Sequence, residues 1–73
     1  MLINLIMAKI QLNGKKITTR SDLTLFDLLK KYKLNNKSIA VEHNGSIIPK
    51  TKLKKKYLKN KDKIEIVHFI GGG

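Results

Sequence analysis

A chain of 73 residues with 41% hydrophobic residues can build one small core and is too hydrophobic to be disordered. It contains no cysteine, which excludes a disulfide scaffold, a thiolate metal site and a cysteine nucleophile. The formal net charge of +11 suggests nucleic acid as a partner, but every basic residue except Arg20 is a lysine, whereas base recognition draws mainly on arginine. We therefore interpret the charge as lysine-rich compositional drift, with a functional basic face as the alternative.

Residues 1–6 are apolar except for Asn4. They form either an N-terminal extension before a true start at Met7 or a longer first strand. The run has no basic flank and no small-residue cleavage site, and it is far shorter than the ~20 residues that span a bilayer. We therefore expect no membrane partner and a cytoplasmic location.

The first hairpin is predicted from the alternating residues 8–12, which are followed directly by Asn13-Gly14. An Asn-Gly pair accepts the positive φ angles of a type I′ turn and is a strong hairpin signal. Residues 16–19 are then expected to form the returning strand.

A single amphipathic helix is predicted next. Thr24 is a suitable N-cap, and Asp27, three residues later, can complete a capping box. The spacing of the apolar positions gives one stripe at helical period, formed by Leu25, Leu28, Leu29 and Tyr32. We expect the helix to end at Asn35-Asn36.

A second hairpin follows the helix. Residues 38–43 form its first strand, Asn44-Gly45 forms the turn, and residues 47–48 return. Pro49 ends this strand, because proline has no N–H to donate to the ladder.

The last third of the chain begins with a lysine-rich stretch, residues 50–63, which we predict to be a loop with a short helical turn. Its candidate anchors in the core are the three apolar residues Leu53, Tyr57 and Leu58. Residues 64–70 are strongly β-prone and predict the last strand, after which come Gly71, Gly72 and Gly73.

The order of elements is therefore ββαββ, a connecting segment and a last strand. Such a chain predicts a two-layer α+β domain, with one main helix packed across a mixed sheet. We expect a single domain over residues 1–73, with the last strand lying centrally beside the first and residues 70–73 forming a flexible tail.

Two stretches of the sequence resemble a known family, the ubiquitin-like sulfur carriers, and within it the carriers of thiamin biosynthesis. One is Ala-Val-Glu-His-Asn-Gly at residues 40–45, followed by Ile48-Pro49, and the other is the stretch at residues 62–73 that ends in three glycines. The resemblance covers roughly residues 7–73 and implies a ubiquitin-like β-grasp fold. The family often has a glycine before the last strand, where this chain has Asn60-Lys61-Asp62, and we expect Asn60 to take the left-handed conformation there.

The resemblance implies a carrier that is the substrate of partner enzymes and is not itself an enzyme. An E1-like adenylyltransferase would use ATP to adenylate the C-terminal carboxylate of Gly73. A sulfur donor such as a cysteine desulfurase would help to convert it to a thiocarboxylate, which thiazole synthase would use. This chain would bind no cofactor itself, since no nucleotide-binding glycine loop is present and ATP belongs to the partner.

The glycine tail suits this chemistry on physical grounds. An activating enzyme must surround the last residues closely to align the carboxylate with the α-phosphorus of ATP, and glycine permits that close approach. We therefore assign the chemical site to Gly73, the threading position to Gly72 and the hinge to Gly71. The alternative is that the glycines are a frayed terminus without a function.

Side-chain alternation along the last strand predicts a docking surface next to the tail. Ile64 and Ile66 should face the helix, and Val67 and Phe69 should face away, beside Ala40. These last three residues would form an apolar patch for a partner enzyme. The alternative is that residues 50–63 or the N-terminal extension cover it.

Other interpretations stay open at this point. The chain could be the small subunit of molybdopterin synthase or another ubiquitin-like sulfur carrier. An alternative from a different functional class is a basic RNA- or ribosome-binding β-grasp module that acts through residues 50–63. A chain with few aromatic residues is, however, poorly suited to stack on bases. His43 and His68 have no nearby cysteine or acidic cluster in the sequence, so we predict no metal site.

Overall fold

The computed structural model describes residues 6–34 and 38–68. These residues form five strands and one α-helix in two layers, with a 3₁₀ helix at Lys50–Lys55. The elements in chain order are β1 Met7–Leu12, β2 Lys15–Arg20, α1 Leu25–Lys31, β3 Ile39–His43, β4 Ser46–Ile48 and β5 Lys63–His68. Three features expected from sequence lie outside the described residues, namely most of the extension at residues 1–6, the helix end at Asn35-Asn36 and the tail at residues 70–73.

The sheet has the strand order β2-β1-β5-β3-β4. The first and last strands, β1 and β5, are parallel neighbours at the centre, and the other pairs are antiparallel. This arrangement confirms the predicted central position of the last strand.

One face of the sheet packs against α1. The core joins residues from the inner face of the strands to the helix and to two leucines of the lysine-rich stretch, and its members are Ala8, Ile10, Leu25, Leu28, Leu29, Ile39, Val41, Leu53, Leu58, Ile64 and Ile66. Leu53 and Leu58 are thus confirmed as anchors, whereas Tyr57 is 55% exposed and is not one. The backbone beside Tyr57 is instead attached to the start of α1, because the Leu25 N–H donates to the carbonyl of Lys56 at 2.8 Å.

The start of α1 is the predicted one. The Asp27 N–H donates to the Thr24 hydroxyl at 3.1 Å, and the Thr24 N–H donates to the Asp27 carboxylate at 3.0 Å, which completes the capping box. These two bonds satisfy donors that the first turn of a helix otherwise leaves free.

The end of α1 comes earlier than predicted, because the chain leaves the helix through a left-handed lysine. Lys33 has a φ of 58°, and its N–H donates to the Lys30 carbonyl, while the Leu34 N–H donates to the Leu29 carbonyl at 2.7 Å. This pair of bonds is a Schellman motif, which usually uses glycine at the left-handed position. Tyr32 consequently becomes the C-cap, 41% exposed, and does not continue the apolar stripe.

Candidate functional site

The tail strand β5 is held on both of its sides. On the β1 side, the Asn13 N–H donates to the Ile64 carbonyl at 2.9 Å, and the Ile66 N–H donates to the Asn13 side chain at 2.7 Å. On the β3 side, pairing continues to the end of the described strand, where His68 lies opposite Ile39. The strand that precedes the glycines is therefore built into the middle of the sheet.

The side chains of β5 alternate as predicted. Ile64 is fully buried and Ile66 is 7% exposed, both in the core with α1. Glu65 and Val67 lie on the opposite face of the sheet, which we call the outer face, and Val67 is 48% exposed.

Two of the three residues proposed for docking lie side by side on the outer face. Val67 is the register partner of Ala40, which is half-buried. The exposure of Val67 shows that the lysine-rich stretch leaves much of its side chain uncovered. The third residue, Phe69, lies outside the described residues, as do Gly71, Gly72 and Gly73.

The next row of the outer face carries two acidic residues. Glu65 and Glu42 are directly opposite each other in the β3–β5 ladder, an arrangement of like charges that is unfavourable unless a cation lies nearby. The Lys63 ammonium group is 3.9 Å from the Glu65 carboxylate and provides part of that compensation. Ile47, 70% exposed, is the register partner of Glu42 on the other side and extends the row to the edge strand.

The start of β5 is fixed by Asp62, for which no partner was predicted from the sequence. Asp62 is 5% exposed, and its carboxylate accepts the Lys59 N–H at 2.8 Å and the Asn44 side-chain amide at 3.1 Å, with the His43 ring nitrogen at 3.0 Å. Burial raises the pKa of Asp62, but the bonds from His43, Lys59 and Asn44 outweigh it, so the pKa is lowered overall. His43, for which the sequence predicts no nearby acidic cluster, therefore lies against one buried carboxylate.

The turn before β5 also differs from expectation. Lys61 takes the left-handed conformation, with a φ of 72°, and Asn60 does not. The Asn60 side chain instead accepts the Lys9 N–H at 3.0 Å, and the Lys61 N–H donates to the Lys9 carbonyl at 2.7 Å. These two bonds fasten the turn to β1, which compensates for the cost of a left-handed lysine.

Within residues 6–34 and 38–68, no group of three or more histidine, cysteine, aspartate or glutamate side chains is placed to hold a metal ion. The only α-helix in this part of the chain, α1, is far too short and too polar to cross a membrane.

The family of the chain follows from comparison with known proteins. A family model described as the ThiS family matches residues 4–73, almost the whole chain. The chain belongs to the ThiS family. The sulfur carrier protein ThiS of Bacillus subtilis (strain 168) is 48% identical over 65 residues, which are 88% of this chain and 98% of that protein.

Two further similarities add to the family match. The crystal structure of the thiamine biosynthesis protein ThiS from Geobacter metallireducens superimposes with a TM-score of 0.77 at 28% identity, covering 89% of this chain and 99% of that chain. A thiazole synthase from Paramagnetospirillum magneticum is 35% identical over 65 residues, which are 89% of this chain but only 20% of the synthase.

These similarities confirm the resemblance to the thiamin-type carriers and the ubiquitin-like β-grasp fold. They favour the thiamin type over the small subunit of molybdopterin synthase. The structure adds the bonds to β5 from the side chains of Asn13 and Asn44, and the bond from Asn44 to the buried Asp62, which the sequence did not predict. The two Asn-Gly pairs were visible in the sequence, but only as turns.

Proposed function

We propose that this chain carries sulfur as a thiocarboxylate at Gly73. Membership of the ThiS family makes it a sulfur carrier protein of thiamin biosynthesis, which partner enzymes modify and which does not itself catalyse a reaction. The observation that carries the proposal is the family match through Gly73, which places all three glycines inside the matched region.

The proposed chemistry takes place in the sites of partner enzymes. In an E1-like adenylyltransferase, an oxygen of the Gly73 carboxylate attacks the α-phosphorus of ATP and pyrophosphate leaves. The terminal sulfur of a persulfide, carried by a donor such as a cysteine desulfurase, then attacks the acyl carbon and AMP leaves, which gives an acyl disulfide. A thiol reductant then cleaves the sulfur–sulfur bond and is itself oxidised to a disulfide, which leaves the thiocarboxylate on Gly73. One carbon–oxygen bond is thereby replaced by a carbon–sulfur bond, and ATP is used only by the partner.

Thiazole synthase is the proposed acceptor of the sulfur. The synthase of P. magneticum contains a segment similar to 89% of this chain, so a carrier-like segment and a synthase share one polypeptide there. Such a fusion supports a functional association between a carrier of this kind and the synthase.

The docking surface proposed for these enzymes is the patch of Ala40, Val67 and Phe69. Its described part, Ala40 and Val67, is a cross-strand pair on the outer face of the sheet, one residue before the described strand ends. Half-exposed aliphatic side chains beside the tail would lose water on docking and so favour binding at the place where the tail must enter the partner's site.

The carrier proposal is tested by mass. The chain is co-expressed with a ThiS-activating enzyme and a sulfur source, and the mass of its C-terminal peptide is measured. We expect one oxygen of Gly73 to be replaced by sulfur, and deletion of Gly73 to abolish the change. The peptide must be isolated because oxidation of Met1 or Met7 gives nearly the same intact mass.

An unmodified C-terminal peptide with several cognate activating enzymes would contradict the proposal. The basic RNA-binding module would then be tested next. Its binding should weaken steeply as salt is raised, because phosphate contacts release counterions.

The docking surface is tested with two matched variants. Val67→Asp places a charge beside the tail, and Ile47→Asp makes the same kind of change at an exposed aliphatic position on the edge strand β4. We expect Val67→Asp to raise the KM of the activating enzyme for this chain at least about tenfold, by loss of apolar contact and burial of a charge. Ile47→Asp should have little effect, and equal effects would contradict the assignment to Val67.

A further inference from the structure

A pocket lies where β1, β2 and the turn before β5 meet. Its volume is about 510 Å³, within the range of roughly 300–1,000 Å³ that is usual for small-ligand sites. Seven of its lining residues are polar or charged, namely Lys9, Gln11, Lys16, Thr18, Lys61, Asp62 and Lys63. The pocket therefore gathers four lysines and two neutral hydrogen-bonding groups around one concave surface.

These lysines have little compensation from acidic groups. Within the described residues, no carboxylate lies within ion-pair distance of Lys9, Lys16 or Lys61, and Lys63 is 3.9 Å from Glu65. Asp62 also lines the pocket, but its carboxylate is occupied by His43, Asn44 and Lys59. Like charges around one concavity repel each other, so an anion placed there would be bound by all of them.

The conformation of Lys61 is an independent observation. With a φ of 72°, this position favours glycine, and a lysine there costs free energy that glycine would not. The bonds of the turn to Lys9 hold Lys61 beside the pocket. Backbone strain is often found at functional sites, so a strained lysine that lines a pocket suggests a functional role for its side chain, such as ligand binding.

We propose that this pocket binds an oligophosphate anion of about the size of pyrophosphate, either free or as the phosphate chain of a nucleotide. Lysine binds phosphate as a flexible point charge, and Gln11 and Thr18 can add neutral hydrogen bonds. None of the lining residues is aromatic, so the pocket has no platform on which a base could stack. Recognition is therefore of the phosphates and not of the nucleoside.

The pocket adjoins one end of β5, and the tail follows the other end in the sequence. Lys63 and His68 are the two ends of β5, and a strand of this length spans about 17 Å. The pocket lies at the Lys63 end and the tail follows the His68 end. A ligand in the pocket would thus not obstruct the entry of Gly73 into a partner's site, and its binding can be measured independently of sulfur transfer.

The test is an NMR titration of the ¹⁵N-labelled chain with sodium pyrophosphate at about 0.15 M salt, where long-range attraction to the overall charge is screened. We expect saturable shifts at the amides of Lys9, Gln11, Lys61 and Lys63. The variant Lys9→Gln/Lys61→Gly should weaken binding about tenfold, by removing two ion pairs. Because glycine suits the left-handed position, this variant should remain folded, which its spectrum will show.

The matched control is Lys52→Gln/Lys55→Gln, which removes the same charge from the 3₁₀ helix outside the pocket. It should leave the affinity within about twofold, because screening leaves only local contacts. ATP should bind about as well as pyrophosphate, which identifies the phosphate chain, and adenosine should not bind. Equal weakening by the two variants, absence of saturation, or preference for a polyglutamate peptide over pyrophosphate would each overturn the proposal.

Discussion

The two hairpin turns, Asn13-Gly14 and Asn44-Gly45, share a sequence and a backbone conformation but hold β5 in different ways. Their φ angles are 51° and 81° in the first turn and 53° and 89° in the second. In the first turn, the asparagine side chain makes one bond to β5, accepting the Ile66 N–H at 2.7 Å. In the second, it accepts the Lys63 N–H at 2.8 Å and also donates to Asp62 at 3.1 Å.

The difference shows that the same local signal can have two tertiary roles. The first turn fixes the middle of β5 from the β1 side, and the second fixes its start from the β3 side through a buried carboxylate. Beyond Ile66, the described part of β5 is paired only with β3, through Val67 and His68. The strand is thus held most firmly at its start and least firmly where it leads to the tail.

The largest expected effect comes from removing the carboxylate that the second turn uses. Asp62→Ala leaves the Lys59 N–H, the Asn44 amide and the His43 ring without their acceptor in a nearly buried place. We expect a loss of about 2–4 kcal/mol of unfolding free energy, measured by urea denaturation.

The control for this variant is Asp22→Ala, which breaks an exposed pair with Arg20 and should cost less than about 1 kcal/mol. If Asp62→Ala does not fold, Asp62→Asn provides the same comparison with the shape preserved. Equal losses in the Asp62 and Asp22 variants would contradict the role given to the buried carboxylate.

The next effect is that of the second asparagine itself. Asn44→Gly keeps the positive φ that the turn requires and removes the side-chain bonds to Lys63 and Asp62, together with a longer contact of 3.4 Å with the His43 ring. We expect a loss of about 1–2 kcal/mol in urea denaturation, since one of the lost bonds serves a carboxylate that is nearly buried.

The corresponding change in the first turn should have a smaller effect. Asn13→Gly removes one bond, to the Ile66 N–H, and should cost about 1 kcal/mol. Glycine adds the same freedom to the unfolded chain in both variants, so that contribution cancels in the comparison. Amide exchange should accelerate at Ile66 in this variant and at Lys63 in Asn44→Gly, and the reverse pattern would contradict the assignment of the two turns.

Much of the fold could be predicted from the sequence because its signals are local. Asn-Gly pairs fix turns, Thr24 with Asp27 fixes a helix start, and the alternation along β5 fixes which side chains are buried. The end of α1 was missed because Lys33, not a glycine or an asparagine, occupies the left-handed position of the Schellman motif. Lysine has no local preference for the left-handed conformation, so the sequence does not predict it at this position.

The bonds to β5 could not be predicted, since they join residues far apart in the chain. Asn13 and Ile66 are 53 positions apart, and Asn44 and Lys63 are 19 apart. Their meeting depends on the strand order, in which β5 lies between β1 and β3. The glycine tail is the opposite case, because its chemistry is implied by the family resemblance of a short stretch of sequence, residues 62–73.

The smallest expected effect is a pH dependence that belongs to the second turn. The bonds from His43, Lys59 and Asn44 outweigh burial and lower the pKa of Asp62 below its ordinary value of 3.8. A carboxyl whose pKa is lowered by folding adds stability above its unfolded pKa, and that contribution is lost as pH falls through the lower folded value. The advantage of the natural chain over Asp62→Asn in urea denaturation should therefore shrink as pH is lowered from about 5 to about 2. The pKa of Asp27 is also lowered, by the Thr24 N–H, but Asp27 is present in both proteins, so its contribution to the pH dependence cancels in the comparison. An advantage that stays constant or grows on acidification would show that the Asp62 carboxylate is not stabilised as an anion by the second turn.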